Sequence, residues 1–185
     1  MSARALICLV TLCLAGCSAE ADLSGVPRLA LTVKRTIPHR GERRFTEGLA
    51  MQGGRLYEGT GLVNATSLKR LDPADGAVLR SARMEDLVPG WSAFGEGITI
   101  FKDELIQLTY QQGRAYFYSL ALNKLTREAS YQGEGWGLTH DGVHLINSDG
   151  SATLTFRDPA TFAVVRRVEV AVDGQGVDRL NELEY

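Results

Sequence analysis

Residues 94–99, Phe94-Gly95-Glu96-Gly97-Ile98-Thr99, set a glutamate between two glycines at the head of an apolar run, and variants of that arrangement return along the chain. Phe45-Thr46-Glu47-Gly48-Leu49 comes before it. Gly133-Glu134-Gly135-Trp136-Gly137-Leu138-Thr139 and Leu180-Asn181-Glu182-Leu183-Glu184 come after. Glu47 lies 87 positions before Glu134, and Glu96 lies 86 before Glu182, so the repeating unit averages about 43 residues. A second marker keeps the same step, because Leu71-Asp72-Pro73-Ala74 returns as Arg157-Asp158-Pro159-Ala160 86 positions later.

Inside each unit, apolar and polar residues alternate over short segments separated by turn residues, which is the pattern of half-buried strands. The first unit predicts strands at 48–52, 55–59, 67–71 and 78–84. The second predicts 98–101, 105–110, 115–120 and 125–131, and the third 138–141, 143–147, 152–157 and 164–172. Four strands per unit of about 40 to 50 residues is the signature of a β-propeller, whose blades bury their faces against one another around a channel. The expected fold is therefore all-β, with about three blades over residues 29–185 and the start of a fourth at the C-terminus. A leading strand is expected at 29–37.

The first residues have the form of an export signal. Arg4 precedes an apolar run over 5–14, and Leu14-Ala15-Gly16-Cys17 follows. A run of about ten residues is too short to span a bilayer, which takes about 20. Residues 14–17 resemble the lipobox of bacterial lipoproteins. That resemblance implies cleavage before Cys17, lipidation of Cys17 and, with Ser18 next, outer-membrane sorting, leaving 18–28 as a short linker. The three cysteines, Cys8, Cys13 and Cys17, all fall in this leader, so the domain has no disulfide framework or thiolate metal site. The formal net charge of −2 carries no basic run, which argues against nucleic acid as a partner.

The repeated motifs, taken with Leu56-Tyr57-Glu58-Gly59-Thr60-Gly61, Gln107-Leu108-Thr109-Tyr110 and Val177-Asp178-Arg179-Leu180-Asn181-Glu182-Leu183-Glu184-Tyr185, resemble the plant and bacterial glutaminyl-peptide cyclotransferases. This is a five-bladed propeller family that closes N-terminal glutamine into pyroglutamate without a cofactor or metal. The resemblance implies that Glu96 is catalytic and that Phe94 stands beside it in the pocket wall. It implies further that Trp136 lines the substrate site and that Asn181 hydrogen-bonds the substrate. Two positions depart from the family pattern. Glu47 stands where glutamine is usual, and Tyr110 where tryptophan is usual; both remain candidate substrate-binding residues. The implied partners are peptides or proteins with N-terminal glutamine, and the membrane is reached through the lipid anchor alone.

The chemistry needs a group that takes a proton from the attacking α-amine and returns it to the departing nitrogen. A glutamate in an apolar pocket suits this, because burial raises its pKa toward neutrality. From the repeat alone, each motif glutamate has two readings, catalysis or a bond to the next blade. Trp136 and Trp91 likewise read as site or core residues. His140 and His144 flank a turn without a third metal ligand at a sensible spacing. Two alternatives to an enzyme stand beside it: a non-catalytic peptide-binding propeller and a truncated, inactive remnant.

Overall fold

A computed structural model of the chain describes residues 30–39 and 45–185. Its core is three four-stranded antiparallel sheets, each a meander in sequence order. The first holds β1 (Thr46–Gln52), β2 (Arg55–Thr60), β3 (Ser67–Leu71) and β4 (Val78–Arg83), followed by one helical turn, α1 (Met84–Leu87). The second holds β5 (Gly95–Phe101), β6 (Glu104–Thr109), β7 (Arg114–Ser119) and β8 (Leu125–Ser130). The third holds β9 (Leu138–His140), β10 (Leu145–Asn147), β11 (Thr153–Arg157) and β12 (Val164–Glu169). Each meander matches one sequence unit, so the expected four-stranded units are present.

Two apolar layers join the sheets. Leu68, Met84, Trp91, Ile98, Leu105 and Tyr118 belong to the first, between sheets one and two. Ile106, Leu108, Phe117, Leu138, Leu145 and Phe162 belong to the second, between sheets two and three. The middle sheet is thus covered on both faces, which is why β5 is buried along almost its whole length. Trp91, 6% exposed, packs in the first layer with its ring 5.2 Å from Tyr116. It is a core residue.

The repeated Asp-Pro-Ala marker builds the same turn twice. The Asp72 carboxylate accepts the Ala74 N–H at 2.8 Å and its carbonyl accepts the Gly76 N–H, while Asp158 does the same for Ala160 and Phe162. The chain therefore enters β4 and β12 by one shared geometry.

Two segments differ from expectation. Residues 30–39 form no strand, and Leu31 and Val33 are 86% and 81% exposed. Alternation makes a strand only beside a pairing edge. Here the Arg35 guanidinium instead donates to the carbonyls of Pro73 and Ala74, at the first sheet's outer turn. The long strand expected at 164–172 also stops early. β12 ends at Glu169, and β13 (Ala171–Val172) turns back on β14 (Gln175–Gly176). Asp173 and Gly174, both at positive φ, form the two-residue turn, an Asp-Gly hairpin signal that alternation alone overlooks.

Candidate active site

The inner strands β1, β5 and β9 lie side by side, and glycines set how closely. A Cβ on Gly48 would stand 2.6 Å from the backbone nitrogen of Ile98. One on Gly97 would strike the Trp136 carbonyl, and one on Gly137 the Asn181 carbonyl. With side chains excluded there, the Gly97 N–H donates to the Trp136 carbonyl at 2.8 Å.

These contacts fix the true register of the repeat. Gly48, Gly97, Gly137 and Glu182 are equivalent, so the residues just before them, Glu47, Glu96, Trp136 and Asn181, share one position on successive blades. The four motif glutamates therefore do not. Glu134 falls two residues before the shared position and Glu182 one after it. The glycines, which face backbone, carry the register more faithfully than the charged residues.

That shared position gathers the candidate site. Glu47, Glu96, Trp136 and Asn181 line one pocket of about 210 Å³ with Tyr110. Five of the six expected pocket residues are thus brought together. Phe94 is not among the lining residues but packs on Tyr110, ring centroids 6.3 Å apart, and Tyr110 stands 6.4 Å from Trp136, so two rings form the wall and the third supports it. Phe94 packs over Gly61 and Trp136 over Gly150, where a Cβ would come within 2.7 Å of the indole. Cys17, the expected lipidation site, lies outside the described residues.

The carboxyls are set apart by their surroundings. Glu96 is 8% exposed. Burial, then the negative charges of Glu47 and Glu134, push its pKa up to about 8. Burial also raises that of Glu47. Glu182 is pushed up to about 8 by burial and by Glu184, Glu47 and Glu96, but its side chain lies more open to water, which weakens the effect. Among the described residues, neither Glu47 nor Glu96 has a side-chain hydrogen bond to the protein, so both carboxyls are free to meet a ligand.

Two supporting groups were not legible as such in the sequence. Glu134 accepts the Trp136 indole N–H at 2.9 Å and the Gln111 amide at 3.0 Å, so it orients the aromatic wall. Glu58, 1% exposed, accepts bonds from the Thr46 hydroxyl at 2.7 Å and the Lys69 ammonium at 2.9 Å, and meets His39 at 2.8 Å. Burial alone would raise its pKa, but these bonds outweigh burial and hold it below the usual value. The bond to Thr46 fastens β1 immediately beside Glu47. The two histidines have other duties: His140 meets the edge of Phe101, and His144 bonds Asp141.

A carboxyl that gains and loses a proton near neutral pH, walled by rings and flanked by an amide, is equipped for proton transfer to a small polar substrate. Known proteins of similar sequence and structure give the family. A family model described as glutamine cyclotransferase matches residues 6–185. The glutaminyl-peptide cyclotransferase of Arabidopsis thaliana is 34% identical over 157 residues, covering 84% of this chain and 47% of that protein, so the chain spans about half the length of this curated relative. The crystal structure of Myxococcus xanthus glutaminyl cyclase matches with a TM-score of 0.71 at 33% identity, over 82% of this chain and 61% of that one. The computationally designed Ika4 protein shares the fold at a TM-score of 0.53 and 12% identity, over 83% of this chain and 88% of its own. The chain belongs to the glutamine cyclotransferase family.

Proposed function

We propose that this chain closes the N-terminal glutamine of peptides or proteins into pyroglutamate, releasing ammonia, with Glu96 carrying the proton. The observation that supports this most is Glu96 itself, a buried carboxyl with no side-chain partner among the described residues, facing a pocket walled by Tyr110 and Trp136.

The substrate's own geometry supplies proximity, because the α-amine closes a five-membered ring on its side-chain carboxamide. The neutral amine attacks the carboxamide carbon while Glu96, as carboxylate, takes a proton from the attacking nitrogen. The C–N bond to the carboxamide nitrogen then breaks as Glu96 returns that proton, so ammonia leaves. In this reading Asn181, which lines the same pocket, hydrogen-bonds the carboxamide or the peptide, and the ring wall keeps water from the carboxyl. Ammonia release from a Gln-initiated peptide, with mass spectrometry of the product, tests the reading. Glu96→Gln is expected to lower kcat by about 10²- to 10⁴-fold, the usual share of a general acid–base group. Unchanged turnover would remove Glu96 from the mechanism.

The leader supports a place for this activity: export, lipidation at Cys17 and attachment at the cell envelope, the outer membrane in particular. Mass spectrometry of the mature N-terminus is expected to show an acylated cysteine, lost in Cys17→Ser.

A further inference from the structure

We propose that Glu47 is the specificity-determining anion of the pocket, holding the protonated α-amine of the incoming peptide. The inference rests on the cyclising function given above and adds how the free N-terminus is recognised.

Glu47 and Glu96 occupy the same position on adjacent inner strands and line the same pocket, yet they differ in burial. Glu96 is closed in, whereas Glu47 is half-buried. Glu47 is held in place from behind, because its neighbour Thr46 is bonded to the buried Glu58–Lys69 pair. Its own carboxyl meets no protein cation or hydrogen-bond donor among the described residues. The groups facing it are Glu96 from β5, Tyr110 and Trp136 from the ring wall, and Asn181 and Glu182 from the C-terminal segment, with Glu134 behind the indole. None of these is a cation. An anion set among aromatic faces and further carboxyls is a site for a cation, and ring faces add to that attraction.

The substrate brings such a cation, since a peptide α-amine has a pKa of about 7.7–8.0 and arrives largely protonated at neutral pH. Glu47 receives the ammonium and takes its first proton, which leaves the neutral amine that the reaction needs. Glu96 then relays the second proton between the two nitrogens. The proton on Glu47 passes to the released ammonia, which departs as ammonium, so charge and protons balance.

The test separates binding from turnover. In the Glu96→Gln protein, equilibrium binding is measured for a Gln-initiated peptide and for the same peptide N-acetylated, with and without Glu47→Gln. The expected result is a loss of about tenfold in affinity for the free-amine peptide on Glu47→Gln, the scale of one charge-assisted hydrogen bond, with the acetylated peptide unaffected. The free-amine preference should also fade as pH rises past the amine's pKa with Glu47 intact, a readout that needs no substitution at Glu47. Equal loss for both peptides, or no preference for the free amine, overturns the inference. If the unsubstituted protein releases no ammonia while the binding contrast holds, the enzymatic reading fails and this one stands.

Discussion

At the scale of the residue, two carboxyls on adjacent inner strands, Glu47 and Glu96, meet in one pocket. Because Glu96 titrates near 8 partly through the charge on Glu47, the pair shares its protons, and an apparent pKa from kinetics belongs to both. In the proposed reaction Glu96 accepts a proton as the carboxylate, so kcat/KM is expected to rise with pH through about 8. Glu47→Gln removes the like charge and should move that limb to lower pH, which a pH–rate profile checks. Glu134 acts one step away, through the indole of Trp136. Glu134→Ala is expected to raise KM for Gln-initiated peptides, and Glu134→Gln, which keeps an acceptor for the indole, to restore most of it. The sequence singled out Glu96, Glu47, Tyr110, Trp136 and Asn181 through their likeness to a family, and the five line one pocket. Periodicity alone grouped Glu134 and Glu182 with Glu96, because it aligned like residues rather than like positions.

At the scale of the element, the strands were legible because a two-residue period is written in side chains. Ends within a residue or three of the observed ones, such as 67–71 for β3, followed from alternation and turn residues alone. The split of the last long strand was not, since β12 and β13 continue one alternating run and only the Asp173-Gly174 turn divides them. The close approach of the inner strands was also hidden. A glycine records that something fits against it without saying what. Gly97→Ala puts a methyl group onto the Trp136 carbonyl, which is backbone and cannot step aside. The expected cost is about 1–3 kcal/mol of overpacking, read as a lowered melting temperature, with a larger loss of activity because β5 and β9 carry Glu96 and Trp136.

At the scale of the whole molecule, the buried charges set how stability follows pH. The raised pKa of Glu96 means the folded chain binds more protons than the unfolded one, so this residue costs stability as pH rises from about 4.5 to 8. Glu96→Gln is therefore expected to melt higher than the parent above pH 8, and little differently at pH 4.5. Activity would be lost while stability is gained, which separates a functional residue from a structural one. Glu58 has the opposite sign. Its lowered pKa stabilises the fold above about 4.5 and fails in acid, and Lys69→Met, which strands its buried carboxylate, should cost about 3–5 kcal/mol at neutral pH. The most direct test is a ¹³C NMR titration of glutamate side-chain carboxyls in the folded protein, compared with Glu96→Gln. Of the resonances with a midpoint near pH 8, one is expected to be missing in the variant. A Glu96 carboxyl titrating near 4.5, like an ordinary surface glutamate, would contradict it.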